Sequence, residues 1–279
     1  MYRSIESKDM RNDLKVFAPL TTEDLQKITP SVFAEAPSEK MSSKYTFVPT
    51  IQVVQDMISL GWQIGNAFEV KARKDVGFQK HCVEFFRPDL VIEREGETLY
   101  PTVILKNSHN GSSTFEFRVG IYRLVCSNGL VIADTEFGKI NLKHLSYSFG
   151  ELAESMFKFI STIDEVIGNV GRLMEKELTS NEAIEFAEKA SKIRLLENQS
   201  MSIDQVLGLL EIRRNADKGL NLWKILNRVQ ENIIKGSYFV TTYNAEKNAM
   251  VERKARAIKN FDLDLEYNTK LWNLANAYV

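Results

Sequence analysis

The chain has 279 residues, 44% of them hydrophobic, and 36 Lys and Arg residues against 37 Asp and Glu give it a formal net charge of −1 at pH 7. This composition is typical of a water-soluble protein with one large or two modest domains. The balanced charge excludes the strong overall positive field that brings many proteins onto nucleic acid, so any contact with a polyanion must come from local patches.

Two features of the sequence bear on its compartment. The two cysteines, Cys82 and Cys126, lie inside apolar strings, and the first ten residues lack the apolar core of a secretory signal. No apolar run approaches the roughly 18 residues that cross a bilayer. We therefore expect a protein of the reduced cytoplasm of a bacterial host, with no membrane partner.

The first 40 residues mix charges with Pro19, Pro30 and Pro37 and show no sustained period. This pattern predicts an irregular N-terminal arm over residues 1–40. From Tyr45 the pattern changes, because the apolar side chains of the segment 51–62 recur at helical spacing until Gly61. That segment is predicted to be the first helix of an α+β core domain over residues 41–147.

Three short segments after this helix are rich in β-branched and aromatic residues and are separated by turn residues. They predict antiparallel strands at residues 67–74, 79–88 and 102–107. Ser113 and Glu116 then have the spacing of a capping box, and apolar side chains follow at helical steps up to Cys126. We therefore predict a central helix that crosses the antiparallel sheet, followed by a buried strand after Gly129.

Beyond Ser148 the predicted elements are helices, which gives a helical C-terminal region over residues 148–279. Capping boxes at Ser148/Glu151, Thr179/Glu182 and Ser202/Gln205 mark three helix starts. Two further helices are predicted, one that ends at Gly236 and one that contains Trp272. The polar segment 241–249 is predicted to be the loop between them. The apolar faces of these helices favour a homo-oligomer in which some of them are buried.

Signatures of common catalytic chemistry are absent from the sequence. It contains no phosphate-binding P-loop, no dinucleotide-binding glycine motif, no HExxH motif and no paired CxxC motif. The three histidines, His81, His109 and His144, lack metal-ligand spacing. We therefore expect no cofactor and no metal site, and catalytic residues stay unassigned.

The polar loop from Ser108 to Ser113 supports three interpretations. A Gly/Ser-rich loop that enters a helix offers backbone amides to a phosphate at residues 110–114, and Lys106 and His109 lie nearby. The favoured alternative is that Ser113 and Glu116 use those amides as an internal cap. In a third interpretation, Ser108 and His109 form part of an enzyme site, although no carboxylate that would orient the histidine is close in sequence.

Three clusters of positive charge stand out against the neutral total. For any single cluster a solvated face with scattered ion pairs is the favoured explanation. Trp62, Phe68 and Phe78 flank the first cluster and could stack on bases, but a core position is favoured for them. The clusters comprise Lys71, Arg73, Lys74 and Lys80; Arg213, Arg214, Lys218, Lys224 and Arg228; and Arg253, Lys254, Arg256 and Lys259.

Several strings resemble, in order, a family described only as domain of unknown function 932, whose members occur in phages, prophages and plasmids. Asn110 stands where the family pattern has an acidic residue, which weakens an acid–base or metal role there. The resemblance spans about 45 to 279 and implies a mobile-element protein without accepted catalytic residues. The strings are YTFVPT at 45–50, Gly61-Trp62, GFQKHCVEFFRPD at 77–89, NSHNGSSTFEFRVGIYRLVCSNGLVIAD at 107–134, NLWKILNRVQENIIKG at 221–236 and LWNLA at 271–275.

A second resemblance is architectural. The helix ending in Gly61-Trp62, the strands from Ala67 to Lys106 and the predicted helix Ser113–Asn128 are similar in order to the core of Rad-type single-strand annealing proteins. Those proteins form rings or filaments and hold single-stranded DNA in a basic groove. The resemblance implies nucleic-acid contacts, which together with the charged loop give the candidate set Lys71, Arg73, Lys74, Lys80, Lys106, His109, Arg118 and Arg123.

The sequence thus favours a cofactor-free, nucleic-acid-binding protein of a mobile element, with annealing of single-stranded DNA in recombination as its expected activity. The alternative is a protein-interaction or host-defence-modulating factor that binds a host or phage protein. An enzyme that uses the loop from Ser108 to Ser113 is third.

Overall fold

A computed structural model describes residues 19–123, 128–132, 139–140 and 148–279. The chain divides into two compact units, and the division between Ile163 and Asp164 falls inside a long helix. The first unit contains a large antiparallel sheet, and most helical residues belong to the C-terminal part. This confirms the α+β fold class. The domain boundaries at residues 40 and 147 stay predictions.

The described part of the first unit begins with two helices, α1 (Thr22–Ile28) and α2 (Thr50–Ser59), with a 3-10 turn at Pro30–Phe33 between them. The α1 helix starts with a capping box in which Thr21 and Asp24 satisfy each other's backbone amides. It lies in the segment that the sequence analysis describes as irregular. The α2 helix is the predicted first helix, and it buries Val53, Val54 and Met57.

Seven antiparallel strands form the sheet of the first unit. Their order is β1-β2-β4-β5-β6, with β3 paired to β4 and β7 paired to β5. The predicted strand at residues 67–74 ends at Glu69, and its basic second half lies in the loop before β2. The strands are β1 (Gln63–Glu69), β2 (His81–Phe86), β3 (Ile92–Arg94), β4 (Glu97–Asn107), β5 (Glu116–Arg123), β6 (Asn128–Ile132) and β7 (Lys139–Ile140).

The predicted central helix is wrong, because β5 occupies most of its described residues. This strand pairs antiparallel with β4 from Lys106↔Glu116 to Leu99↔Arg123. The apolar residues of FEFRVGIYR fit both the period of a helix and that of a strand. Phe117, Val119 and Ile121 alternate along the chain, which places all three on one face of a strand. Residues 124–127, including Cys126, lie outside the described part. The strand predicted after Gly129 is β6.

The two faces of the sheet differ in character. One face is apolar, and its central side chains are at most 1% exposed: Val83, Phe85, Val103, Leu105, Phe117, Val119 and Ile121. Trp62, just after α2, packs beside Phe159 with ring centroids 5.8 Å apart. Because side chains alternate along each strand, Glu84, Lys106, Glu116 and Arg118 lie on the opposite, polar face.

The C-terminal helices are α3 (Phe149–Glu175), α4 (Ser180–Ser191), α5 (Ile203–Leu207), α6 (Leu222–Lys235) and α7 (Phe261–Asn276). The capping boxes at Thr179/Glu182 and Ser202/Gln205 are confirmed, since each pair satisfies both amides. Nearly every residue of α6 is buried, including polar residues such as Gln230 and Asn232. This helix is therefore the centre of the second unit. No helix in the described residues is both long and apolar enough to span a membrane.

The second unit also contains a small sheet, which the sequence analysis missed. Its strands are β8 (Gln199–Ser200), β9 (Phe239–Asn244) and β10 (Ala249–Lys254), with β9 in the middle. The segment 241–249, predicted to be a loop, therefore holds the end of β9, a turn and the start of β10. The strands are short and mostly polar, so the period of two that marks a half-buried strand is weak.

Gly236 connects α6 to β9 at a point of close backbone approach. Its φ of +70° and ψ of −150° are accessible almost only to glycine. A β-carbon built there would lie 2.6 Å from the carbonyl oxygen of Ala255, a backbone atom that cannot move aside as a flexible side chain can. The residue is therefore required both by its conformation and by its packing.

We expect Gly236→Ala to lower the free energy of unfolding by at least about 2 kcal/mol, because conformational strain and the backbone clash add. Chemical denaturation measures this loss. Gly168→Ala is the control, since Gly168 lies inside α3 and a β-carbon added there would meet only a side-chain nitrogen of Arg172, at 3.8 Å. The control should be neutral or slightly stabilising. Equal stability of the two variants would contradict this account of Gly236.

Candidate functional site

Four of the predicted nucleic-acid contacts lie on the loop between β1 and β2, residues 70–80, which we call the β1–β2 loop. Lys71, Arg73 and Lys74 are exposed and Lys80 is half-buried. None of the three exposed side chains forms an ion pair with any part of the chain that the structure describes. Their positive charges therefore face solvent within four consecutive positions.

Hydrogen bonds hold the β1–β2 loop in one shape. The amide of Val70 donates to the carbonyl of Lys80 at 2.9 Å, which closes the base of the loop. The Gln79 side chain accepts from the amide of Gly77 at 2.7 Å and donates to Glu69 Oε1 at 2.8 Å. Lys40 binds Asp75 at 2.7 Å. The exposed cations are thus presented on an ordered segment.

Lys106 and Arg118 share one carboxylate on the polar face of the sheet. Lys106 Nζ lies 2.7 Å and Arg118 Nε 3.0 Å from Oε1 of Glu116. Burial raises the pKa of Glu116, but hydrogen bonds from Lys106 and Arg118 outweigh it and lower the pKa overall. Glu116 therefore binds two cations and does not cap a helix. Of these two cations, only Arg118 is appreciably exposed.

Arg123 lies on the apolar face of the sheet, where it forms a bidentate ion pair with Glu97. Arg123 is 1% exposed and Glu97 is 6% exposed. A guanidinium in this position is out of reach of a polyanion in the described structure. Its role is to satisfy a buried carboxylate between β4 and β5.

His109 belongs to a buried polar network centred on the hydroxyl of Thr50, at the start of α2. Three nitrogens surround this oxygen: His81 Nε2 at 2.9 Å, Asn107 Nδ2 at 2.9 Å and His109 Nε2 at 3.2 Å. Thr50, His81 and His109 are 0% exposed. The network joins α2, β2, β4 and the loop after β4 at one point.

The network continues through His81 to Glu69. Ser31 Oγ donates to Glu69 Oε2 at 2.7 Å and lies 3.0 Å from His81 Nδ1. The carbonyl of Gln79 is 3.0 Å from the same nitrogen. Because a carbonyl only accepts, Nδ1 of His81 carries the proton and its Nε2 accepts from the Thr50 hydroxyl.

This assignment fixes the remaining protons. Thr50 uses its only proton toward His81, so it accepts from the side-chain amide of Asn107 and from Nε2–H of His109. Nδ1 of His109 is then an acceptor, and it has no hydrogen-bond partner among the described residues. The hydrogen bonds therefore run in one direction, from His109 through Thr50, His81 and Ser31 to Glu69.

Both histidines are neutral at physiological pH. Burial and the neighbouring His109 lower the pKa of His81 to about 3, and burial lowers the pKa of His109 to about 4. The rings are close, with centroids 5.1 Å apart, and Phe47 covers His109 at 4.9 Å. Protonation of His81 at Nε2 would set a new N–H against the Thr50 hydroxyl that already donates there, and burial disfavours the charged form of both rings.

The loop from Ser108 to Ser113 uses its polar groups internally. Ser108 Oγ accepts from the amide of Ser113 at 2.8 Å and donates to its carbonyl at 3.1 Å. Asn110 Oδ1 accepts from the amide of Ser112 at 3.1 Å. The predicted capping box and helix N-terminus do not form here, because the chain continues into β5. This removes the helix dipole on which the phosphate interpretation depended.

Thr50, Asn107, Ser31 and Glu69 were not singled out by the sequence analysis. They are distant in sequence, and none has a motif spacing that predicts their contact. The only available signal was the presence of polar residues within otherwise buried strings, as for His81 in QKHCVEFF. In the described residues, no group of three or more His, Cys, Asp or Glu side chains is placed to hold a metal ion.

The buried ion pair gives a stability prediction. Arg123→Met leaves Glu97 charged and buried, so we expect it to lower the free energy of unfolding by about 3–5 kcal/mol. The double variant Arg123→Met/Glu97→Leu should recover most of this loss. Arg87→Met, which breaks the more exposed pair with Asp89, should cost at most about 1 kcal/mol. Chemical denaturation tests all three, and a double variant no more stable than Arg123→Met would contradict the prediction.

The two histidine pKa values predict a titration. We expect the ring protons of His81 and His109 to keep constant NMR shifts between pH 8 and pH 5 and to change only in more acidic solution, because their pKa values lie at about 3 and about 4. Single His→Gln variants assign the signals. A midpoint near 6.5 for either ring would show that it is solvated.

The free energy of unfolding should depend on pH through His81 and His109, and Glu84 partly offsets their effect. Each histidine stabilises the fold above its unfolded pKa of about 6.5, and this contribution is lost as pH falls through the folded values. Burial raises the pKa of Glu84 to about 7. Glu84 therefore stabilises the fold at pH values below the ordinary pKa of a glutamate, and this stabilisation is lost as pH rises. We expect Glu84→Gln to steepen the gain in unfolding free energy from pH 5 to 6.5 by roughly 1 kcal/mol per pH unit. An unchanged slope would contradict the Glu84 assignment.

Comparison with known proteins places the sequence in a family. Residues 37–272 match the family described as Domain of unknown function (DUF932). The UPF0380 protein YafZ of Escherichia coli K12 is 31% identical over 266 residues, which cover 94% of this chain and 92% of that protein. The UPF0380 protein YfjQ of the same strain is 30% identical with the same coverage. No solved structure matches. The chain belongs to the DUF932 family.

Proposed function

We propose that this protein binds single-stranded nucleic acid through the β1–β2 loop. The observation that carries the proposal is the set of three exposed cations, Lys71, Arg73 and Lys74, on a loop whose shape is fixed by hydrogen bonds. The ordered backbone of the loop needs little rearrangement when its cations meet phosphates, and the release of counterions from the strand provides the affinity.

Apolar side chains beside the cations favour a single strand over a duplex. Val76 is 68% exposed and Phe78 is half-buried in the same loop. Unpaired bases have free faces that can contact such side chains, whereas the bases of a duplex are stacked inside it. Trp62 is 1% exposed and takes no part. Of the predicted contacts outside this loop, Arg118 is half-buried, and Lys106, His109 and Arg123 are buried.

Annealing activity, recombination, a phage or plasmid context and a homo-oligomer are further parts of this proposal. They follow from the family and architectural resemblances, and the strand β5 stands where the Rad-type resemblance requires a helix. An annealing assay with complementary oligonucleotides tests the activity, and light scattering after size exclusion tests the assembly. Acceleration of annealing and a particle larger than 31.9 kDa would support both parts.

A protein-interaction role is the second candidate function. Exposed apolar side chains in the second unit favour it, among them Leu196 at 64% and Ile203 at 59%. Apolar side chains exposed to this degree are the usual material of protein interfaces when they are contiguous. A protein that binds no oligonucleotide at low salt would favour this role over the first.

The charge-reversal variant Lys71→Glu/Arg73→Glu/Lys74→Glu tests the proposed function. We expect its affinity for a fluorescent oligothymidylate, measured by anisotropy at low salt, to fall at least about tenfold. The slope of log K against log salt should become shallower by about 2, because three phosphate contacts are lost from a single strand.

The control variant Lys27→Glu/Lys44→Glu/Lys158→Glu changes the net charge by the same amount at three exposed positions outside the loop. It should retain most of the affinity. Equal losses in the two triple variants would show that net charge, and not the β1–β2 loop, governs binding.

A further inference from the structure

The hairpin formed by β9 and β10, together with the segment that follows it to residue 259, is largely exposed. We call residues 239–259 the basic hairpin. Every residue from Ala245 to Met250 is exposed, and among the described strands β10 pairs only with β9. One edge of this sheet is therefore open in the part of the chain that the structure describes.

The basic hairpin carries a local excess of positive charge. It contains five exposed cations and two carboxylates, Glu246 and Glu252. Its local charge is therefore +3, in a chain whose total charge is −1. Glu252 also accepts a hydrogen bond from Gln205 at 2.7 Å. The five cations are Lys247, Arg253, Lys254, Arg256 and Lys259.

Two aromatic rings share one face with a cation. Phe239 and Tyr243 are 45% and 47% exposed and lie four residues apart on β9, so they are on the same face about 13 Å apart along the strand. Lys254 stands opposite Phe239 in the antiparallel register. The Tyr243 hydroxyl donates to Asn248 Oδ1 at 2.6 Å, which orients its ring.

The base of the basic hairpin is fixed to α6. The amide of Ser237 donates to the carbonyl of Ala255 at 3.0 Å, and the amide of Ile258 donates to the carbonyl of Ile234 at 2.8 Å. Arg194 donates to the carbonyls of Ile233 and Arg256. The exposed face is thus held by a buried helix, so it needs little ordering when a ligand binds.

The second cationic cluster of the sequence, which includes Arg213, Arg214 and Arg228, serves a different purpose. Arg214 binds the buried carboxylate of Glu231, and Arg213 binds Asn232 and the carbonyl of Gly236. Arg228 donates to the carbonyls of Asp217 and Gly219. All three guanidinium groups are held by hydrogen bonds within the fold, although Arg213 itself is exposed.

We propose that the basic hairpin is a second, independent surface for single-stranded nucleic acid, with bases stacked on Phe239 and Tyr243 and a phosphate bound by Lys254. Exposed aromatic rings beside cations are the combination that binds single strands without reading their sequence. The inference deepens the proposed function, and its test is chosen to separate the two surfaces.

The variant Tyr243→Trp provides a local reporter. The three natural tryptophans, Trp62, Trp223 and Trp272, are at most 1% exposed, so a quenching signal that appears only in the variant comes from position 243. We expect oligothymidylate and oligouridylate to quench it, because stacking on the base changes the ring's surroundings. Heparin, which has charge without bases, should not.

Substitutions then test the individual contacts. Phe239→Ala in the reporter protein should weaken binding about tenfold, the usual scale for one stacked base. Met250→Ala, at an exposed apolar position on the same face, should weaken it less. Lys254→Gln should weaken it more than Arg253→Gln, which removes the same charge from the other face of β10.

The outcomes distinguish the two proposals. Quenching that persists in the charge-reversal variant of the β1–β2 loop supports an independent surface. If anisotropy shows oligonucleotide binding but the reporter is not quenched, the proposal for the basic hairpin is overturned and the proposal for the β1–β2 loop stands. Equal effects of Lys254→Gln and Arg253→Gln, or quenching by heparin as strong as that by oligonucleotide, also overturn it.

Discussion

The first unit depends on one buried hydroxyl. Thr50 begins α2, and its oxygen is shared by His81 of β2, Asn107 of β4 and His109 of the following loop. A hydroxyl has one proton and two lone pairs, so this set of partners admits a single arrangement of donors and acceptors. The cost of burying these groups is offset only when all of them meet, which specifies where the helix lies on the sheet.

Positive charge is divided between the interior and the surface of the molecule. Lys106, Arg123 and Arg214 neutralise buried carboxylates, and the buried Arg228 satisfies backbone carbonyls. Arg213 is exposed but is held by hydrogen bonds to Asn232 and Gly236. Two local clusters of exposed cations are the β1–β2 loop and the basic hairpin, and single exposed cations such as Lys27, Lys44 and Lys158 lie elsewhere. A near-zero total charge is compatible with these local positive surfaces because carboxylates elsewhere on the chain balance them.

The sequence predicted the helices well where a cap and an apolar stripe agree, as at Thr179 and Ser202. It failed for β5 because Phe115, Val119 and Tyr122 fit a helical period, while Phe117, Val119 and Ile121 fit a strand. Pairing with β4, a contact between distant residues, decides between the two. The Thr50 network could not be predicted at all, because its side chains come from separate elements. Lys71, Arg73 and Lys74 are exposed, and their contact with nucleic acid stays a prediction.

The position of Ser31 affects how the domain can be delimited. This residue joins His81 to Glu69, yet it lies before residue 37, where the similarity to the family begins. A fragment cut at that border would lack the hydroxyl that donates to Glu69 and accepts from His81, so both side chains would lose a hydrogen-bond partner. Residues 37–272 alone would therefore leave this part of the network incomplete, whereas the similarity to YafZ, which covers 94% of this chain, reaches back past Ser31.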